Sequence, residues 1–147
     1  MTATATFDLL DRAHATLVLA HRSETTNDRY INAHLATLRS AAAVVADRTP
    51  ARTSRHPGRG RGRGVAPMRD TWTVLATLAP ELTEWADYFA LCGERRGALE
   101  AGQIASPREA DDLLRDAETF HGLALAALGL PFDGHVAEQG LVVAGRG

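Results

Sequence analysis

Two places in this chain set an arginine a few residues ahead of a histidine: Arg29-Tyr-Ile-Asn-Ala-His34 and Arg115-Asp-Ala-Glu-Thr-Phe-His121. Such a pair could act on a phosphodiester. A guanidinium grips phosphate oxygens through two parallel hydrogen bonds and offsets their growing charge. An imidazole moves a proton near neutral pH. Spacing alone carries little weight. With 16 arginines and 6 histidines in 147 residues, about two such pairs arise by chance. Residues 29 and 34 leave a helix about 140° apart and about 7.5 Å along its axis. Both could hold one phosphate only if the arginine stem swings round or if a second subunit completes each pair. The bland alternative is that Arg29 is solvated in a first helical turn. His34, an i+4 neighbour of Tyr30, would then serve packing or a hydrogen bond to that tyrosine. Arg115 and His121 read most simply as a mid-helix surface pair.

Other chemistry-bearing residues are sparse. His14 and His21 fall two turns apart on one helix face, about 10 Å along the axis, too far to share one metal without bridging ligands, so partly buried core histidines are expected. Neither a metal site nor a cofactor is expected. Trp72, Trp85, Tyr88 and Phe89 are expected in the core rather than on a base-stacking platform. Cys92 is the single cysteine, which excludes an intrachain disulfide and fits a small buried residue. Every basic residue is arginine. Five of them, Arg52, Arg55, Arg59, Arg61 and Arg63, lie within residues 49–67, which hold no acid. The rest of the chain sets eleven arginines against eighteen acids, a net −7, and the whole carries −2. An acidic body with a basic segment excludes a uniformly basic nucleic-acid binder. The alternating Arg and Gly of residues 58–64 resemble RNA-associating segments; a tolerated low-complexity insertion is the plainer reading. No apolar run approaches the ~20 residues that span a bilayer, and no basic leader opens the chain. A soluble cytoplasmic protein without membrane contact is expected.

Helical periodicity places these residues. Phe7, Leu10, His14, Leu17 and His21 mark a first helix with Thr6 as its cap. Thr25 and Asp28 open a second in a weak capping box, and Ile31, Leu35, Leu38, Ala42 and Val45 carry it to about Asp47. A short connection makes the two antiparallel. Three prolines and four glycines in residues 49–67 break every period and suggest a long disordered surface loop. A short helix over Asp70–Ala79 offers Trp72, Leu75 and Leu78 for burial. A longer one starts at Pro80, lined by Leu82, Trp85, Phe89, Cys92 and Leu99 and ended by Gly102. Ser106-Pro-Arg-Glu109 is the strongest start signal. Ala110, Leu113, Leu114, Ala117, Phe120, Ala124 and Leu128 follow, stopped by Gly129 and Pro131. Residues 131–147 show no period and read as a flexible tail.

The paired segments LLDRAHATLVLAH and RYINAHLATLRSAAAVVA resemble the opening helices of HEPN domains. SPREADDLLRDAETFHGL resembles their closing helix, and PELTEWADYFA the middle of a subgroup from GC-rich bacteria. The resemblance implies an all-α, HEPN-like antiparallel bundle of four to five helices over residues 1–130, with the Arg/Gly-rich loop inside it. Many HEPN proteins are metal-independent ribonucleases in which Arg-x(4–6)-His motifs face each other across a dimer. The histidine moves the proton of a 2′-hydroxyl or leaving group. In the family the motif generally lies later in the domain, with a polar residue after the arginine. Here Tyr30 takes that place in the first pair and Asp116 in the second. Other members have lost the motif and serve as binding modules. Three functions are therefore carried forward. The first is a dimeric, non-catalytic module that binds RNA or an unidentified protein partner. The second is a metal-independent endoribonuclease using Arg29 and His34, or less directly Arg115 and His121. The third is a purely structural adaptor.

Overall fold

The computed structural model describes residues 2–50 and 71–130, and the side chains from residue 4 onward. They form five α-helices: α1 (Thr2–Arg22), α2 (Thr26–Arg48), α3 (Thr71–Leu78), α4 (Thr83–Glu100) and α5 (Pro107–Ala127). A 3-10 turn at Pro80–Leu82 leads into α4. The expected start at Pro80 is thus a tightened turn, in which the Thr83 amide bonds back to the Pro80 carbonyl. Two of the expected segments, the arginines of 49–67 and the tail 131–147, lie outside the described residues, save for Thr49 and Pro50.

α2 is the central helix and packs against all four others, most extensively against α1 and α5. Its start is the expected one: the Thr25 hydroxyl accepts from the Asp28 amide at 3.0 Å. α5 carries the full capping box, with the Glu109 amide donating to Ser106 Oγ at 3.0 Å and the Ser106 amide to Glu109 Oε1 at 3.3 Å. Gly102 (φ 115°) and Gly129 (φ 75°) adopt the left-handed conformation just past the ends of α4 and α5, where a Cβ would be strained.

The start of α1 departs from expectation. Thr6 is not its cap; it is buried inside a helix that begins at Thr2. Thr-Ala-Thr-Ala-Thr shows no apolar period, but its alanines favour helix and extension of a formed helix is easy. The faces of α1 and α2 also differ from the apolar stripes. Phe7, His14 and His21 are exposed, and α1 buries Thr6, Leu10, Ala13, Thr16, Leu17 and Ala20. α2 buries Tyr30, Ala33, His34, Ala36, Thr37, Ser40, Ala41, Ala43 and Val44, while Ile31, Leu35, Leu38, Ala42 and Val45 are half-buried. A central helix flanked by α1 and α5 turns its small residues to them, because small side chains let helix axes approach.

The remaining core is aromatic. Phe89 of α4 and Phe120 of α5 meet edge to face at 5.0 Å, and Trp72 of α3 and Trp85 of α4 pack on both. Here most of the expected faces hold: Leu82, Phe89, Cys92 and Leu99 are buried, as are Ala110, Leu113, Leu114, Ala117, Phe120 and Ala124, whereas Trp85 and Leu128 are half-buried and Tyr88, expected in the core, is exposed. Two polar ties fix the connection between α4 and α5. The Asn27 side chain donates to the Gln103 carbonyl and accepts from the Ala105 amide, each at 2.9 Å. Arg95 grips Glu109 with Nε at 2.7 Å and a terminal nitrogen at 3.1 Å.

Candidate functional site

The tight link between α1 and α2 brings His21, in the last turn of α1, beside Arg29, near the start of α2. α5 passes them with Asp111, Leu114, Arg115 and Glu118 at successive turns of one face. These six residues line an open cleft of ≈ 270 Å³. Both candidate arginines therefore reach the same cleft, although 86 positions separate them. Neither candidate histidine is among its lining residues.

Arg29 donates to Asp111 Oδ1 at 2.7 Å. The pair is partly solvated, so its contribution to stability is small, about 0–1 kcal/mol. Arg115 leans on Asp112 at 3.5 Å. The His21 Nε2 shares a short hydrogen bond with Glu118. The carboxylate holds the imidazole in one orientation at the edge of the cleft. An anion entering the cleft would first have to draw Arg29 away from Asp111.

His34 is placed elsewhere. It is 3 % exposed. With Nε2 protonated, it donates to the Phe89 carbonyl at 3.0 Å, and Nδ1 faces an Arg96 terminal nitrogen at 3.5 Å as acceptor. Its ring also packs near Trp72, 6.3 Å away. Burial holds its pKa below the ordinary histidine value, and the Arg96 charge acts in the same direction. The Phe89 carbonyl and the Glu100 charge oppose them only in part. The expected bond to Tyr30 is replaced by a parallel arrangement in which the Tyr30 hydroxyl donates to the Cys92 carbonyl, weakly at 3.5 Å. The i, i+4 pair of α2 thus reaches two carbonyls of α4. Burial also raises the Tyr30 hydroxyl well above its ordinary pKa, so Tyr30 stays a neutral donor.

His121 is buried with its ring 6.2 Å from that of His14, while Arg115 is exposed on the cleft. His14 and His21 diverge: one faces His121 and the other Glu118. Among the described residues no group of three or more His, Cys, Asp or Glu is placed to hold a metal ion. No helix among them is long and apolar enough to cross a membrane. Arg52, Arg55, Arg59, Arg61 and Arg63 lie outside the described residues.

Sequence reasoning missed the His21–Glu118 pair, since 97 positions separate the partners and no motif links them. It also missed the role of Gly93, since glycine within a helix ordinarily only weakens it. A Cβ there would meet the His34 ring at 3.3 Å, so this glycine makes room for the histidine.

Five α-helices packed around α2 define the class as an all-α helical bundle among the described residues. Residues 20–124 match the model of the SAV_6107-like HEPN family, and the chain belongs to it. No curated protein and no solved structure gives a significant match.

Proposed function

We propose that this HEPN domain is a non-catalytic, dimeric binding module. The observation that carries the reading is the state of His34. A proton-transfer group must reach the reacting oxygen, whereas His34 is buried and committed to the Phe89 carbonyl. Arg29, its motif partner, is engaged with Asp111. The acidic balance of the chain outside residues 49–67 favours a protein partner over RNA for the folded body. A second copy is the simplest such partner. Apolar surface suited to a twofold contact is available in the half-buried Ile31, Leu35, Leu38 and Ala42 of α2 and in exposed Leu123 of α5. Light scattering at tens of micromolar should return twice the chain mass; a monomer mass throughout would remove the dimer from this reading.

A metal-independent endoribonuclease has one observation in its favour. The cleft collects Arg29, Arg115 and a carboxylate-backed histidine, His21. In that reading His21, rather than His34, would move the proton. Cleavage of single-stranded RNA in chelator, by wild type and by His21→Ala, His34→Ala and Arg29→Ala, separates the two. The module reading expects no cleavage by any of the four. Robust wild-type cleavage lost in a folded His21→Ala would overturn it in favour of the cleft. Loss in a folded His34→Ala would restore the motif pair.

A further inference from the structure

Between α4 and α5 lies a second open pocket, of ≈ 320 Å³, lined by Glu84, Trp85, Tyr88 and Asp116. The Trp85 and Tyr88 rings meet at 72° with centroids 6.5 Å apart, so they stand as two nearly perpendicular walls. The indole is braced from behind by Phe89, stacked at 5.6 Å, and by Phe120 at 6.0 Å. The Tyr88 hydroxyl donates to Asp116 Oδ2 at 2.6 Å, which fixes the second wall and leaves the other carboxylate oxygen able to accept. Among the described residues Glu84 has no hydrogen-bond or ion-pair partner, and no arginine or histidine lines the pocket.

Aromatic faces carry negative electrostatic potential and attract cations, and two carboxylates at the same opening strengthen that preference. A compact ammonium or metal ion is strongly hydrated and gains little from apolar walls. A quaternary ammonium would suit the walls but leave the carboxylate acceptors unmet. A guanidinium is weakly hydrated on its flat faces and rich in N–H donors at its edge, which matches one ring wall and two acceptors. The volume is near the lower end for ligand pockets and suits a single side chain. We propose that the pocket formed by Glu84, Trp85, Tyr88 and Asp116 receives the guanidinium of an arginine side chain, stacked against Trp85 and hydrogen-bonded to Asp116 and Glu84. The arginine could come from a partner protein or from this chain's own Arg/Gly-rich segment.

The test is an NMR titration of the full-length chain with the peptide Gly-Arg-Gly-Arg-Gly, read at the Trp85 indole N–H, which Trp72→Phe assigns. A Gly-Lys-Gly-Lys-Gly peptide is the comparator. The arginine peptide should move the Trp85 signal, and binding should weaken about fivefold or more for the lysine peptide and for Glu84→Gln with Asp116→Asn. Equal binding of both peptides, or binding indifferent to the double substitution, would overturn the proposal as mere attraction to an acidic body. A full-length variant with Arg52, Arg55, Arg59, Arg61 and Arg63 all changed to Gln separates the two sources. Binding by wild type and variant alike points to an external arginine. Binding by the variant alone shows that the chain's own arginine holds the pocket. Binding by neither overturns the proposal.

Discussion

Alanine, threonine and serine line the buried sides of α1 and α2: Ala13, Thr16 and Ala20 on one helix, Ala33, Ala36, Thr37 and Ser40 on the other. The buried sides of α4 and α5 carry Phe89, Leu99, Leu113 and Phe120. The first pair gains contact by bringing backbones close, the second by interdigitating large side chains. The polar atoms differ accordingly. In the N-terminal pair, Thr16 donates to the Arg12 carbonyl and accepts from Arg39, both at 2.7 Å, whereas the buried Thr6 and Ser40 hydroxyls find no partner among the described residues. The C-terminal pair keeps its polar ties at the rim, in Arg95–Glu109 and Tyr88–Asp116.

The two regions should therefore fail in opposite ways. Phe120→Ala removes a fully buried ring touched by Trp72, Trp85 and Phe89, and should cost about 3–5 kcal/mol in chemical denaturation. In the N-terminal pair truncation has little to remove, and enlargement is what hurts. Ala36→Leu, at a position 1 % exposed, should cost about 1–3 kcal/mol by forcing the helices apart. If Ala36→Leu proves neutral, α2 has slack at that contact and the contrast fails.

That contrast also explains what the sequence made legible. Large apolar residues at helical spacing identified the inner faces of α4 and α5, because there the large residues are the core. The same rule misplaced the faces of α1 and α2. It weighted Phe7, Ile31 and Leu35 over Ala13, Ala33 and Ala36, and alanine's small transfer energy hides its value at a close contact. Start and stop signals written in local chemistry, Thr25, Ser106-Pro107 and Gly102, were readable because they depend on residues within one turn. The cleft was not, since His21–Glu118 and Arg29–Asp111 are tertiary pairings with no local trace. Of the two residues in the Arg-x4-His spacing, Arg29 lines the cleft and His34 faces α4.

His34 is where the two regions join, since it makes the shorter of the two polar links from α2 to the backbone of α4. His34→Ala should cost about 1–3 kcal/mol, through the lost hydrogen bond and the space left behind. The link also makes stability pH-dependent. The folded pKa is depressed, so below the ordinary histidine value of about 6.5 the unfolded chain binds the proton more readily. His34 therefore contributes in full above that pH, and its contribution falls as the pH drops through the window beneath it. Glu109, held below the ordinary carboxylate range chiefly by its hydrogen bond from Arg95, loses its contribution only at lower pH. Denaturation midpoints at pH 7.5 and 5.5 should differ in wild type and converge in His34→Gln. An unchanged difference in the variant would mean that another group titrates.

The smallest effect is the sharpest probe of the same joint. Gly93 and Gly97 stand one turn apart in α4, and alanine at an open helix position gains about 0.8–1 kcal/mol over glycine. At Gly97 a Cβ would meet nothing within 4 Å, so Gly97→Ala should stabilise by about that amount. At Gly93 the same Cβ would stand 3.3 Å from both Cε1 and Nε2 of His34. The propensity gain is common to both sites, so the difference between the two substitutions isolates how far the imidazole can yield. It has little room, with Nε2 bonded to the Phe89 carbonyl and Trp72 beside it. A shift of a few tenths of an ångström would lengthen that bond. Gly93→Ala should therefore be neutral to destabilising by about 1 kcal/mol, and the difference should vanish when both alanines are introduced into His34→Ala. If Gly93→Ala stabilises wild type as much as Gly97→Ala does, the ring is free to move, and the rigid link between α2 and α4 is not what holds His34 in place.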